Sequence, residues 1–214
     1  HVPRRFFIWC LSWMTYRTAD MVFVASSEDQ GFVLNHFNID KNRIKLCPNC
    51  IDTDIFKPMD VIRKDNHILF VGRLTAQKNL PALIDAIAET PYTLHIIGTG
   101  EQEQTLQAQA MRLGARVNFL GPIANDRLPE LYNAYPVYVL PSFYEGNPKT
   151  LLEAMACGAA IVAANSPGIS SIIRHEENGL LTKIGAKNLK EALVLLMNNQ
   201  DLGRRLGKQA RRDI

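Results

Sequence analysis

The sequence predicts an α/β fold, a parallel sheet covered by helices on both faces. Two observations carry this: short apolar runs that stop at glycine or proline, and helix-length stretches between them. Ile68-Leu69-Phe70-Val71 before Gly72 predicts a strand buried on both faces. A helix over 80–88 follows, then a strand over 93–97 that ends at Gly98-Thr99-Gly100. A polar helix over 101–113 precedes a strand over 117–120 and Gly121. A short helix over 128–133 leads to a strand over 137–140, ending at Pro141. After a further helix come a strand over 160–163, a short strand at Leu180-Leu181, and helices over 186–197 and 201–212. Gly72, Gly98, Gly121 and Pro141 all fall at the carboxyl ends of strands, the edge where parallel sheets bind ligands.

Residues 1–57 predict a helix to about residue 19, a strand over 21–25, a helix over 27–37 and a strand over 43–46. That is the last part of a second α/β layer. Phe56-Lys57-Pro58-Met59-Asp60 suits a linker, so the expected domains are 1–57 and 58–214. A chain that opens on His1 and stops inside a helical pattern is expected to be a fragment of something longer. Arg4-Arg5 before the apolar run 6–11 has the look of a signal peptide. It lacks a small-residue cleavage site, and Ser12 and Thr15 interrupt it, so a buried helix is expected.

With 214 residues, 47% hydrophobic and 21% charged, the chain has the makings of one or two globular domains. A net charge of +3 is too small to argue for a nucleic-acid partner. No apolar run approaches the roughly 20 residues that span a bilayer. Cys47-Pro48-Asn49-Cys50 has redox-pair spacing, but a loop follows where the first thiol would need a helix. Two further zinc ligands are absent from the pattern, so reduced cysteines in a cytoplasmic protein and no metal are expected.

The block 141–158 concentrates the chemistry. Asn147 suits an N-cap and Pro148 the first helical position, and Gly158 suits a left-handed stop. The helix so framed would aim free N–H groups at an anion near Glu145. Glu153, eight positions on, lies within an otherwise apolar stretch, where a carboxylate is costly unless hydrogen-bonded. In Gly72-Arg73-Leu74-Thr75-Ala76-Gln77-Lys78-Asn79, Arg73 and Lys78 sit on a strand-end loop, where two cations can meet one diphosphate.

These motifs as a set resemble the retaining, GT-B-fold glycosyltransferases of family 4 (glycosyl transferases group 1), from about residue 19 to residue 212. The resemblance implies a Rossmann-like C-terminal GT-B domain, preceded by the end of a Rossmann-like N-terminal, acceptor-side domain. In such enzymes a Gly-Arg and a following Lys bind the donor's diphosphate, and Arg73 and Lys78 match them. The first glutamate, here Glu145, contacts the donor sugar near its reacting face; the second, here Glu153, hydrogen-bonds the ribose. The resemblance thus implies catalytic roles for Glu145, Arg73 and Lys78. It implies donor binding for Gly72, Gly98, Pro122, Ile123, Gly146, Asn147, Lys149, Thr150, Leu151 and Glu153, with Pro148 able to offer no N–H.

Gly98-Thr99-Gly100 resembles the family's glycine loop after a strand, and two other segments depart from the family pattern. That glycine loop is only the start of a dinucleotide fingerprint, since Glu103 stands where a third glycine belongs, so NAD binding is not expected. Asn49 and Asp52 match a Pro-Asn-Gly-Val-Asp hinge, but Cys50 replaces its glycine, where a positive φ is expected. Ser171 stands where many members carry glutamate, so Pro167–Ser171 receives no catalytic role.

The implied activity is transfer of a hexose-type sugar, with retention, from a nucleotide diphosphate sugar to a glycan or lipid-linked acceptor, as in polysaccharide biosynthesis. The donor is a substrate; no cofactor and no obligatory metal are expected. This fragment would bind the donor and turn it over weakly or not at all. Alternatives are a sugar-nucleotide epimerase of GT-B-like fold and a non-catalytic nucleotide-sugar-binding module. Arg204, Arg205, Lys208, Arg211 and Arg212 form a basic helix, a solvated face by default and otherwise a peripheral contact with the inner face of a membrane.

Overall fold

The computed structural model describes residues 2–214, with side chains from residue 8 onward. The chain forms two compact units that divide between Asn49 and Cys50.

In the first unit, α1 (Val2–Thr18), β1 (Val22–Val24), α2 (Ser27–Phe37) and β2 (Ile44–Leu46) follow one another, and β1 pairs parallel with β2. Ser26 caps α2 by accepting the Asp29 N–H at 3.0 Å, and Asn38 ends it in the left-handed region. A small core of Val22, Val24, Val33, Phe37, Ile39 and Ile44 holds these elements together. The apolar run near the N-terminus is helical, but it does not form the buried helix expected. Among its described side chains Ile8, Trp9, Leu11 and Met14 are exposed, while Tyr16 packs on the small core.

The second unit is built on a six-stranded, wholly parallel sheet. Its strands are β3 (His67–Val71), β4 (Thr93–Ile97), β5 (Val117–Gly121), β6 (Val137–Leu140), β7 (Ala160–Ala164) and β8 (Leu180–Thr182). Their order across the sheet is β5-β4-β3-β6-β7-β8. That is the doubly wound order of dinucleotide-type folds, with the reversal between β3 and β6. The helices are α3 (Leu80–Ala88), α4 (Glu103–Leu113), α5 (Leu128–Ala134), α6 (Lys149–Ala156), α7 (Ala186–Asn198) and α8 (Gln200–Arg212). They connect successive strands or close the chain, as right-handed crossovers in a parallel sheet require.

The central strands are apolar throughout because helices cover both faces. Ile68, Leu69 and Phe70 have no exposed surface, and each is worth about 1.5–3 kcal/mol of burial. In α3, Leu80, Leu83, Ile84 and Ile87 repeat at helical spacing and face the same core. Residues 50–57 pack within this unit. Phe56 is buried against Tyr132, and Arg211 of α8 donates to the carbonyls of Thr53, Phe56 and Ala156. Asp52 Oδ1 accepts the N–H groups of Asp54 and Ile55, closing a turn. Cys50 is not among the residues with positive φ, so this turn does not need the glycine of the family pattern.

Candidate active site at the strand reversal

The reversal leaves a crevice between the carboxyl ends of β3 and β6, and one loop enters it from each strand. Lys78 from the β3 loop places its Nζ 2.6 Å from Oε1 of Glu145 in the β6 loop. Both side chains are largely shielded, 13% and 7% exposed. Gln77 donates its side-chain N–H to the Tyr144 carbonyl at 2.8 Å and lies 3.5 Å from Glu145 Oε2. Its own carbonyl accepts the Phe143 N–H at 2.9 Å. Asn79, in the left-handed region at φ 53°, is buried and donates to the Pro141 carbonyl at 3.2 Å. Asparagine tolerates that conformation better than other side chains.

A third loop supports the acid from behind. The Glu145 N–H donates to the Pro167 carbonyl at 2.9 Å, and Ser166 Oγ donates to the Ser142 carbonyl. Gly168 has φ 78°, and a Cβ there would stand 2.0 Å from the Glu145 carbonyl oxygen. The segment given no catalytic role on sequence grounds therefore braces Glu145 through its backbone.

Strand-end glycines shape the other wall. Gly98, at φ 126°, approaches so closely that a Cβ would stand 2.0 Å from the Gly72 carbonyl oxygen. The Gly72 N–H donates to Ile97 and that of Gly98 to Gly121, carrying the sheet pairing into the loops. The Arg73 side chain projects from this wall, exposed, and makes no hydrogen bond or ion pair to another described residue. Pro122 is exposed, while Ile123 packs partly onto the core.

Helix α6 begins one residue later than the sequence predicts. Pro148 is the cap and Lys149 the first helical residue, so Asn147 lies outside the helix, and the proline side chain can make no capping hydrogen bond. Proline keeps the extended φ and ψ of a cap, which is why the start shifts. The start of α6 lies at the crevice end, where Lys149 adds a charge that opposes the helix dipole. A cation at that end is a local cost that an anionic ligand would offset. Gly158 follows the helix at φ 74°, as predicted. Leu151 offers nothing to a ligand: its side chain is in the core, and its N–H donates to the Pro148 carbonyl at 3.0 Å. The Thr150 hydroxyl accepts from Tyr138 at 2.9 Å.

Glu153 is 2% exposed, and its Oε2 accepts the Tyr132 hydroxyl at 2.9 Å. Burial pushes its carboxyl above the usual range, opposed by the Tyr132 hydrogen bond and the Lys149 charge. Burial likewise raises the Tyr132 hydroxyl and pushes the Cys157 thiol up to about 12, so this corner holds neutral donors around one acid. Sequence reading missed Gln77, Tyr132 and Pro167–Gly168. Only Gln77, beside Lys78, carried a positional hint.

Among the described residues no group of three or more His, Cys, Asp and Glu converges as a metal site. A cavity of about 350 Å3 lies at the opposite, amino-terminal sheet edge, lined by residues such as Arg63, Tyr135, Pro136 and Ala160. It is distant in the fold from the strand reversal, where the charged groups converge.

Residues 52–213 match the family of glycosyl transferases group 1. This chain belongs to that family. Among curated group 1 relatives, an uncharacterized glycosyltransferase of Methanocaldococcus jannaschii is 33% identical over 185 residues, covering 78% of this chain and 47% of the relative. Among solved structures, sucrose-phosphate synthase from Thermosynechococcus elongatus superposes with a TM-score of 0.84 at 26% identity, covering 96% of this chain and 56% of that one. The Anabaena protein HepE, solved in complex with UDP and glucose, gives a TM-score of 0.85 at 24% identity, covering 95% and 61%. The chain spans about half the length of the curated group 1 relatives it matches.

Proposed function

We propose that this chain carries the donor-binding half of a retaining glycosyltransferase that takes a hexose-type sugar from a nucleotide diphosphate. The observation that carries the reading is the meeting of Lys78 and Glu145 at the strand reversal, beside the start of α6. In this reading the region up to about residue 57 belongs to the acceptor side, and residues 58–214 form the donor domain, with 50–57 as the connection.

The chemistry follows from charge. Breaking the bond between the sugar's anomeric carbon and the diphosphate oxygen leaves positive charge on the sugar and negative charge on the diphosphate. Arg73, Lys78 and the α6 amides are the groups that stabilise the negative charge on the leaving diphosphate. The chain's own cations supply that charge, so no obligatory metal enters the reading. Glu145 orients the sugar on the same side. Glu153 holds the ribose through whatever accepting capacity Tyr132 leaves it, and Pro122 and Ile123 lie beside the base. Gly72, Gly98, Gly146, Asn147, Lys149 and Thr150 complete the donor contacts. The acceptor is a glycan or lipid-linked glycan, and the basic outer face of α8 is available for peripheral contact at a cytoplasmic membrane face.

Calorimetric titration with UDP-glucose, GDP-mannose and ADP-glucose tests this, repeated on Glu145→Ala and Arg73→Ala. At least one donor is expected to bind and to bind more weakly to both variants. Equal binding by parent and both variants overturns the site, and robust transfer by this chain alone overturns its assignment as a donor half.

A further inference from the structure

We infer that Gln77 is the positioning residue for Glu145. The inference rests on the donor-site reading above and adds a member to it.

Gln77 spans three consecutive residues of the acid-bearing loop. Its carbonyl accepts from Phe143, and its side-chain amide donates to Tyr144 and approaches Oε2 of Glu145. No other described side chain reaches across the crevice to both the backbone and the carboxylate of this loop. Lys78 holds the opposite oxygen, Oε1. The two restraints differ in one respect. Lys78 is a cation with a flexible stem, and a bound diphosphate competes with Glu145 for it. The Gln77 amide is neutral and already committed to a backbone carbonyl, so an incoming anion does not draw it away. When Lys78 turns toward the diphosphate, Gln77 and the Pro167–Gly168 brace are what keep the Glu145 carboxylate facing the sugar. A neutral donor also holds the carboxylate without cancelling its charge, which a second cation would do.

Gln77 thus acts through Glu145 and touches no ligand itself. Its loss should therefore weaken recognition of the sugar and leave recognition of the diphosphate intact. The test compares paired titrations of the full chain with UDP and UDP-glucose, GDP and GDP-mannose, and ADP and ADP-glucose. The variants are Gln77→Met, which keeps length without the donor, Gln77→Glu, which keeps shape and adds a repelling charge, and Glu145→Ala.

The expected result is that Gln77→Met binds the nucleoside diphosphate as the parent does and loses about tenfold in affinity for the nucleotide sugar, in step with Glu145→Ala, while Gln77→Glu, whose charge also opposes the anion, loses about tenfold more for the nucleotide sugar than for the diphosphate. If Glu145→Ala loses the sugar increment and both Gln77 variants keep it, the positioning role is overturned while the donor site stands. Equal losses for diphosphate and nucleotide sugar overturn it too, because Gln77 then supports the loop as a whole. If Glu145→Ala loses nothing, or the parent binds none of the six probes, the underlying site reading fails and the role of Gln77 fails with it. Should Gln77→Met not fold, Gln77→Glu alone decides between these outcomes.

Discussion

The hydroxyl of Tyr132 on α5 donates a 2.9 Å hydrogen bond to Oε2 of Glu153 on α6, where both side chains are almost fully buried. An acid in the middle of an apolar helix is tolerated because this neutral donor meets it. Tyr132→Phe removes the donor and keeps the ring, so it should destabilise the fold by about 1–2 kcal/mol. It should also raise the Glu153 carboxyl further. Urea melts give the first quantity, and the pH dependence of the midpoint gives the second.

Glu153 has a raised carboxyl in the folded state, so folding favours its protonated form. Its contribution is fully present below the ordinary carboxyl value of 4.5 and is lost as pH rises through the folded value. Glu153→Gln should flatten that limb of the stability profile and gain about 1 kcal/mol at pH 8. Thermal melts from pH 4 to 8, compared with the parent, check it.

His95 gives the opposite slope. It is buried beside Tyr135 and Asn118, and burial, then His67 and Lys64, push its pKa down to about 4. The unfolded chain takes up this proton near pH 6.5 and the folded chain only near 4, so stability falls as pH drops across that window. After solvent screening the loss is about 1–2 kcal/mol. His95→Gln should remove it, as read from urea midpoints at pH 7 and pH 4.5.

Lys78 and Glu145 form a mostly shielded pair, so removing one charge strands the other. Lys78→Met should cost about 2–3 kcal/mol, and the double variant with Glu145→Gln should recover at least about 1 kcal/mol of that. A double-mutant cycle by chemical denaturation measures the coupling. Additive losses would mean the pair contributes nothing beyond its separate contacts.

Gly168→Ala places a Cβ 2.0 Å from the Glu145 carbonyl oxygen at a φ of 78°. Backbone strain plus displacement should cost about 3 kcal/mol or more. Gly114→Ala, at φ 62° with open space around the new methyl, should cost only about 1 kcal/mol. A gap between the two on denaturation separates contact from strain, and Gly168→Ala alone should weaken nucleotide-sugar binding.

The strands and helices were legible because periodicity is local. Ile68–Val71 announces a strand by its own composition, and the glycines after it announce where the strand stops. The start of α6 lies one residue later than expected because Pro148 suits the first helical position by its fixed φ, and only the folded backbone shows its ψ to be that of a cap. The exposure of Ile8, Trp9 and Met14 was not legible, since an apolar helix reads as buried whether or not a neighbour is present. The charged ends of the site, Arg73, Lys78, Glu145 and Glu153, stood out by residue type. Their supports did not. Tyr132 reads as a core aromatic and Pro167–Gly168 as a turn, and what each holds depends on a sheet order that no local pattern encodes.

Lys78 and Glu145 lie 67 residues apart in the chain, on the two sides of the strand reversal. Neither loop can meet the other until β6 has docked beside β3, a long-range closure that comes late and slowly compared with helix formation. During synthesis the cations emerge well before the acid that pairs with them. A ligand that needs both therefore recognises only a chain whose sheet has closed, and its binding stabilises that closed sheet over every earlier intermediate.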